Sequence, residues 1–258
     1  EATTARPSVV ALIEQTKIPA ESKSEMLAAI EDSQSLHLNS MGASEVDIFN
    51  GCIQAVSNHP DFKDNPNGKI LFRVVLLWTL RFLNSRLEMT KGHAPSVAYL
   101  FETDDGTLPN EADLQIDYHQ FMFSASSGSI EIEVSNVGGG RADVRFKLGG
   151  ERLVVEVKRE DADCSFDGLE RSYAAQASDY QNVSIRLGLL LVLDQTEVRK
   201  SGTPHISTLV HPARIVRQGE TDPRWLVIVK VPGRRLRPSD HKKSKKTSTK
   251  RPTSRRRK

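Results

Sequence analysis

Cysteine is nearly missing: Cys52 and Cys164 are the only two in 258 residues, far apart and without a C-x-x-C spacing. That excludes a disulfide framework and a structural zinc, and it fits a reducing cytoplasm, the expected location. Long hydrophobic runs are missing too. The longest, Ile70 to Leu83, has 14 residues and is broken by Arg73 and Arg81, whereas a membrane span needs about 20. No membrane is expected as a partner. No signal-peptide pattern opens the chain, and its first residue is Glu1, so a processed chain or part of a larger parent chain is expected. The seven histidines show no H-E-x-x-H or other ligand spacing, which speaks against a zinc hydrolase; His205 and His211 flank a strand signal and read as structural. Gly138-Gly139-Gly140 is followed by no Gly-Lys-Ser/Thr, so it is neither a P-loop nor a dinucleotide loop. There is no G-x-S-x-G elbow for acyl transfer.

What is present begins with a split of charge. The net of +3 hides a C-terminal stretch, Gly233 to Lys258, with 13 Lys and Arg and one acidic residue, Asp240. Residues 1–232 then hold 23 basic and 32 acidic residues, a net of −9. A segment of Lys, Arg, Ser, Thr and Pro cannot bury a core, so 233–258 reads as a basic, disordered tail. Lys242, Lys243, Lys245 and Lys246 are its densest cluster. As a nucleic-acid arm it would act by releasing condensed counterions from phosphates; as a bland alternative it is a solubilising terminus.

Residues 1–108 read as a helical N-terminal region. Val9–Gln15 and Lys23–Asp32 are short amphipathic stretches, and Asn58–Gly68 is rich in Pro, Asn and Asp and reads as a loop. Lys69–Arg86 predicts a long helix with Leu71, Val74, Val75, Trp78 and Phe82 on its buried stripe. A boundary falls in the polar segment Phe101–Pro109. Residues 109–232 form a second region: a helix over Glu111–Met122, then strands over Ile130–Ser135, Arg141–Leu148 and Arg152–Arg159. A helix over Gly168–Asn182 follows, opened by a capping-box pattern at Asp167–Glu170. Strands over Leu187–Leu193, Ile206–Val216 and Trp225–Val231 complete the order α-β-β-β-α-β-β-β. This implies an α/β architecture, a mixed sheet flanked by helices.

The chemistry concentrates in one predicted hairpin, Gly140 to Lys158. Gly149-Gly150 sits between two alternating runs, and a two-residue turn there needs positive φ at both centres. That turn sets the register: Leu148 faces Glu151, Phe146 faces Leu153 and Asp143 faces Glu156. The period of two puts Ala142, Val144, Phe146, Leu153, Val155 and Val157 on an apolar face. Asp143, Val154, Glu156 and Lys158 fall on the other. Two opposed carboxylates repel, and a divalent cation between them removes that cost; Mg²⁺ suits one or two carboxylates with waters and phosphate oxygens. Lys158 adds a positive charge where charge would build on a phosphate. Arg141 falls opposite Lys158, and the four residues could equally be a checkerboard of salt bridges on a solvated sheet face.

Asp143, preceded by Gly140-Arg141-Ala142, together with Glu156-Val157-Lys158, resembles the PD-(D/E)XK nuclease superfamily. Gln176-Ala-Ser-Asp-Tyr180 on the next helix resembles the Gln-x-x-x-Tyr motif of its RecB-like members. The resemblance covers roughly Asn110 to Pro232, and the Pro of the family's name is replaced by Ala142. It implies a restriction-endonuclease-like sheet and a metal-dependent nuclease acting on DNA, with RNA not excluded, in a restriction or phage-defence setting. Asp143 and Glu156, with Glu111 on the helix before the first strand, would hold Mg²⁺, for which Mn²⁺ can substitute. Lys158 would orient water or stabilise the transition state, and Gln176 would hold Lys158 or the substrate backbone. Arg141 and Tyr180 would join the tail lysines in contacting nucleic acid. The rival expectation is a non-catalytic nucleic-acid-binding or scaffolding module, and the N-terminal region is the place for a protein partner.

Overall fold

The computed structural model describes residues 13, 16–23, 25–26, 40–90, 95–103, 105–126, 130–137, 141–179, 181, 185–200 and 202–236, with the backbone alone at 134–137, 141–143 and 174–179. The helices expected over Val9–Gln15 and Lys23–Asp32 fall largely outside these residues. The chain runs through helices α1 (Ala43–Val56), α2 (Pro60–Lys63), α3 (Pro66–Glu88) and α4 (Glu111–Ser126), then strands β1 (Glu131–Val137), β2 (Arg141–Leu148) and β3 (Glu151–Glu160). Helix α5 (Phe166–Asp179) leads to β4 (Leu187–Asp194), β5 (Val210–Ile215) and β6 (Arg224–Pro232). The architecture is mixed α/β: one six-stranded sheet in the order β1-β2-β3-β4-β6-β5, flanked by helices. Its β1-β2-β3 part and its β5–β6 edge are antiparallel, and β3-β4-β6 are parallel.

Three sequence expectations are corrected. The supposed loop Asn58–Gly68 contains α2 and the first turn of α3, because each has a proline at its first position and a side-chain cap before it. The His59 ring accepts from the Asp61 N–H at 3.1 Å, and the Asn65 side chain accepts from the Gly68 N–H at 2.9 Å. Helix α5 starts at Phe166, not Gly168: the Ser165 hydroxyl, rather than the Asp167 box, accepts from the Gly168 N–H at 3.1 Å. The strand expected over Ile206–Val216 begins as a 3-10 turn, Ile206–Thr208, in which the His205 ring accepts from the Ser207 N–H.

The core explains the layering. Leu71, Val75 and Phe82 of α3 are fully buried as the stripe predicts, while Trp78 is only partly so. Leu76, Leu77, Leu80 and Leu83 are buried too, since α3 is wrapped by α1, α2, α4 and the sheet. The buried residues of α1, α3 and α4 join Val144, Phe146, Leu153, Val155 and Val157 in one cluster, so the N-terminal helices share a core with one sheet face. On the opposite face a smaller cluster packs Leu169 of α5 against Leu190, Val192, Leu226 and Ile228. β4 is buried along its whole length, as a strand covered on both faces must be. No described helix is long and apolar enough to cross a membrane.

The exit from the sheet is fastened rather than loose. Arg235 donates to the Arg86, Leu87 and Met89 carbonyls at the end of α3, at 2.6, 3.0 and 2.7 Å. Helix-end carbonyls lack partners within the helix, and a guanidinium satisfies them. Arg234 pairs with Glu102 at 2.9 Å. The first two arginines of the basic stretch are therefore engaged in the fold.

Candidate active site

The β2–β3 hairpin builds the site. Gly149 and Gly150 have φ of 55° and 86°, the left-handed values a two-residue turn demands. The resulting register pairs Leu148 with Glu151, Phe146 with Leu153 and Asp143 with Glu156. Opposed positions share a sheet face, so positions 143, 156 and 158 lie on the face that also carries α5. The Asp143 and Arg141 side chains are outside the described atoms. On its other side β3 pairs in parallel with β4, bringing Glu156 beside Leu190 and Lys158 beside Val192. An apolar wall thus borders the two charged residues.

Those charges are deeply buried. Glu156 is 1% exposed and Lys158 7%. Lys158 Nζ lies 2.6 Å from Glu156 Oε1 and 3.7 Å from Glu111 Oε1. Each buried ion loses several kcal/mol of hydration, so the ammonium and carboxylate must answer each other. Glu111 arrives from the first turn of α4. The segment before it is pinned where Arg159 donates to the Pro109 carbonyl at 3.2 Å. Glu111, expected only through the resemblance, is thus brought to the lysine.

Sequence reasoning passed over Glu160, two residues beyond Lys158 on the same face and 8% exposed. It accepts from the Ala162 and Asp163 N–H groups at 2.7 and 3.1 Å and from the Tyr173 hydroxyl at 2.8 Å. Desolvation pushes its carboxyl up, but these donors outweigh it and hold the group below its ordinary value. Tyr173 is pushed up, by burial first and then by Glu160, with Glu111 adding to it, so it remains a protonated donor. The sequence signal was available: Glu156, Lys158 and Glu160 alternate, and Tyr173 falls four residues after Leu169, on one face of the following helix. Only the packing of α5 on the sheet joins them.

The remaining site candidates divide plainly. Gln176 lies on α5, with its backbone alone described. Tyr180 and Lys242, Lys243, Lys245 and Lys246 lie outside the described residues. His211 meets Glu170 at 3.5 Å and stacks near Phe166, a structural setting. Cys52 and Cys164 are buried, and burial pushes their thiols up to about 12, away from the reactive thiolate form. Among the described side chains no group of three or more His, Cys, Asp and Glu is gathered for a metal. Glu111 and Glu156 are the described carboxylates at Lys158, and their hard oxygen donors suit Mg²⁺ rather than a soft metal. Comparison of the chain with protein-family models, curated proteins and solved structures finds no match.

Proposed function

We propose that the chain is a metal-dependent nuclease that hydrolyses phosphodiester bonds in DNA. The observation that carries this reading is the paired register of Asp143 and Glu156, with the buried Lys158 ammonium set between Glu156 and Glu111. Carboxylate oxygens from Asp143, Glu156 and Glu111 would hold Mg²⁺ or Mn²⁺. When bound, the cation would polarise a phosphate and lower the pKa of a water. Lys158, fixed by Glu156, carries its charge to where an attacking water or a phosphate gaining negative charge would sit. Desolvation on this face strengthens that charge, because few waters compete with it. Glu160 and Tyr173 fasten α5, the helix that carries Gln176, to the end of β3.

The test is incubation of the full chain with plasmid, linear duplex, single-stranded DNA and RNA, in Mg²⁺, Mn²⁺ or EDTA. Expected is cleavage of DNA that needs the metal and is lost in Asp143→Asn and Glu156→Gln. Equal cutting by wild type and both variants would remove these residues from the site. A second reading is a nucleic-acid-binding module without catalysis. It is favoured by one fact: Glu156 and Lys158 already neutralise each other at 2.6 Å. Binding of DNA with no cutting under any metal would select it.

A further inference from the structure

The body carries a net of −9 over residues 1–232, and several of its described arginines are taken up by that acidity. Arg86, Arg159, Arg186, Arg199 and Arg224 each meet a carboxylate. Arg145 and Arg152 meet none among the described residues, and both lie on the face of Glu156 and Lys158. The alternation along β2 sets 143, 145 and 147 on that face, and along β3 it sets 152, 154, 156 and 158. Helix α5 packs on β4, β5 and β6, and towards the β2–β3 turn Arg152 is exposed and Arg145 half-buried.

Lys147 stands directly opposite Arg152, and Arg145 is its diagonal neighbour, at about 7–8 Å between Cα atoms. Glu131 and Glu133 border the patch on β1; Glu133, although the register partner of Arg145, pairs instead with Lys147. Among the described side chains here, Arg145, Lys147 and Arg152 stand against Glu131 and Glu133, a local excess of positive charge that an anion would relieve. A guanidinium fork matches phosphate oxygens two at a time. The described neighbours on this patch offer no aromatic ring for a base to stack on, only Val154. Contacts would therefore go to the backbone and carry no sequence information.

We propose that Arg145 and Arg152 form a phosphate-binding track that holds the nucleic-acid backbone as it leaves the Asp143–Glu156 pair. Arg145 is two residues from Asp143 and Arg152 four from Glu156, about 7 and 14 Å along the strands. The track extends the nuclease reading by giving the substrate backbone a path beside the site, and it rests on that reading.

The test uses the full chain and a labelled duplex of arbitrary sequence, with Ca²⁺ in place of Mg²⁺, followed by fluorescence anisotropy across a range of NaCl. The double variant Arg145→Gln/Arg152→Gln should bind at least about tenfold more weakly, and its salt slope should flatten by about 1.8, since two duplex phosphates are no longer neutralised. Its melting temperature should stay close to wild type, since Arg152 is exposed, Arg145 is only half-buried and Gln keeps a polar side chain at both positions. Arg145→Lys/Arg152→Lys should keep the slope while losing part of the affinity. Arg214→Gln, which removes an exposed arginine from the other face of β5, should change neither. Unchanged affinity and slope in the double Gln variant, or an equal loss in Arg214→Gln, overturns the track. The two readings fail separately. If wild type binds through these arginines but cuts nothing in Mg²⁺ or Mn²⁺, the nuclease reading falls and the track stands as a binding surface. If wild type cuts and the variants bind undiminished, only the track falls.

Discussion

Replacing Lys158 with Met removes one ammonium and leaves most of the aliphatic stem, so it isolates the buried ion pair. At 2.6 Å between Nζ and Oε1, and with an effective dielectric constant of about 20, the gross attraction is about 6 kcal/mol. The pair's own desolvation cancels much of that, but the variant does not recover the cancellation. Glu156, 1% exposed, would stay buried with its cation gone, which costs about 3–5 kcal/mol. For a chain of this size about 2–4 °C is lost per kcal/mol, so the melting temperature should fall by about 6–20 °C. Adding Glu156→Gln to Lys158→Met should recover more than half of the loss, because the uncompensated charge is then gone. Thermal and urea unfolding of the wild type, both single variants and the double variant at one pH close the cycle. The reasoning fails if Lys158→Met lies within about 1 kcal/mol of wild type, or if the double variant melts no higher than the single. DNA cleavage should be absent in all three variants.

His59 sets a pH limit on the contact between α2 and the sheet. Its ring accepts the Asp61 N–H and its Nε2 lies 2.9 Å from the Pro223 carbonyl, the neutral form with its proton on Nε2. Burial first, and then Arg186, lower its pKa against the opposing pull of Asp61, Asp222 and the Pro223 carbonyl. The unfolded chain therefore binds the proton more readily, so stability is present above pH of about 6.5 and is lost as pH falls through the folded value. Urea unfolding from pH 8 to 5 should show this slope, and His59→Asn, which keeps a cap acceptor, should flatten it. Asp117→Asn should cost about 3–5 kcal/mol by breaking a buried pair, because Arg86 meets both Asp117 oxygens at 2.6 and 2.7 Å and Tyr99 donates to it at 2.7 Å; an unchanged calorimetric melt would refute it. Deleting Asp240–Lys258 removes ten Lys and Arg and one Asp. The melting temperature should hold while DNA affinity falls and the salt slope flattens by about 0.9 for each duplex phosphate no longer neutralised, whereas equal slopes would show that the segment is no nucleic-acid arm.

The hairpin was legible because its determinants are local. Two glycines fix a turn, the turn fixes the register, and the period of two assigns Asp143, Glu156 and Lys158 to one face, as the pairing shows. The apolar runs of β4 and β6 and the stripe of α3 were legible for the same reason: burial of a regular element leaves its period in the sequence. Tertiary structure decided what depends on residues far apart in the chain. It set the order β1-β2-β3-β4-β6-β5, brought Glu111 to within 3.7 Å of Lys158 and joined Tyr173 to Glu160. It drew Arg234 and Arg235 out of a uniform basic run by offering one a carboxylate and the other the open carbonyls of a helix end. It also left Arg145 and Arg152 without a carboxylate partner among the described residues. A sequence states which groups carry charge, but whether a charge is matched depends on which distant partner the fold brings within a few ångströms.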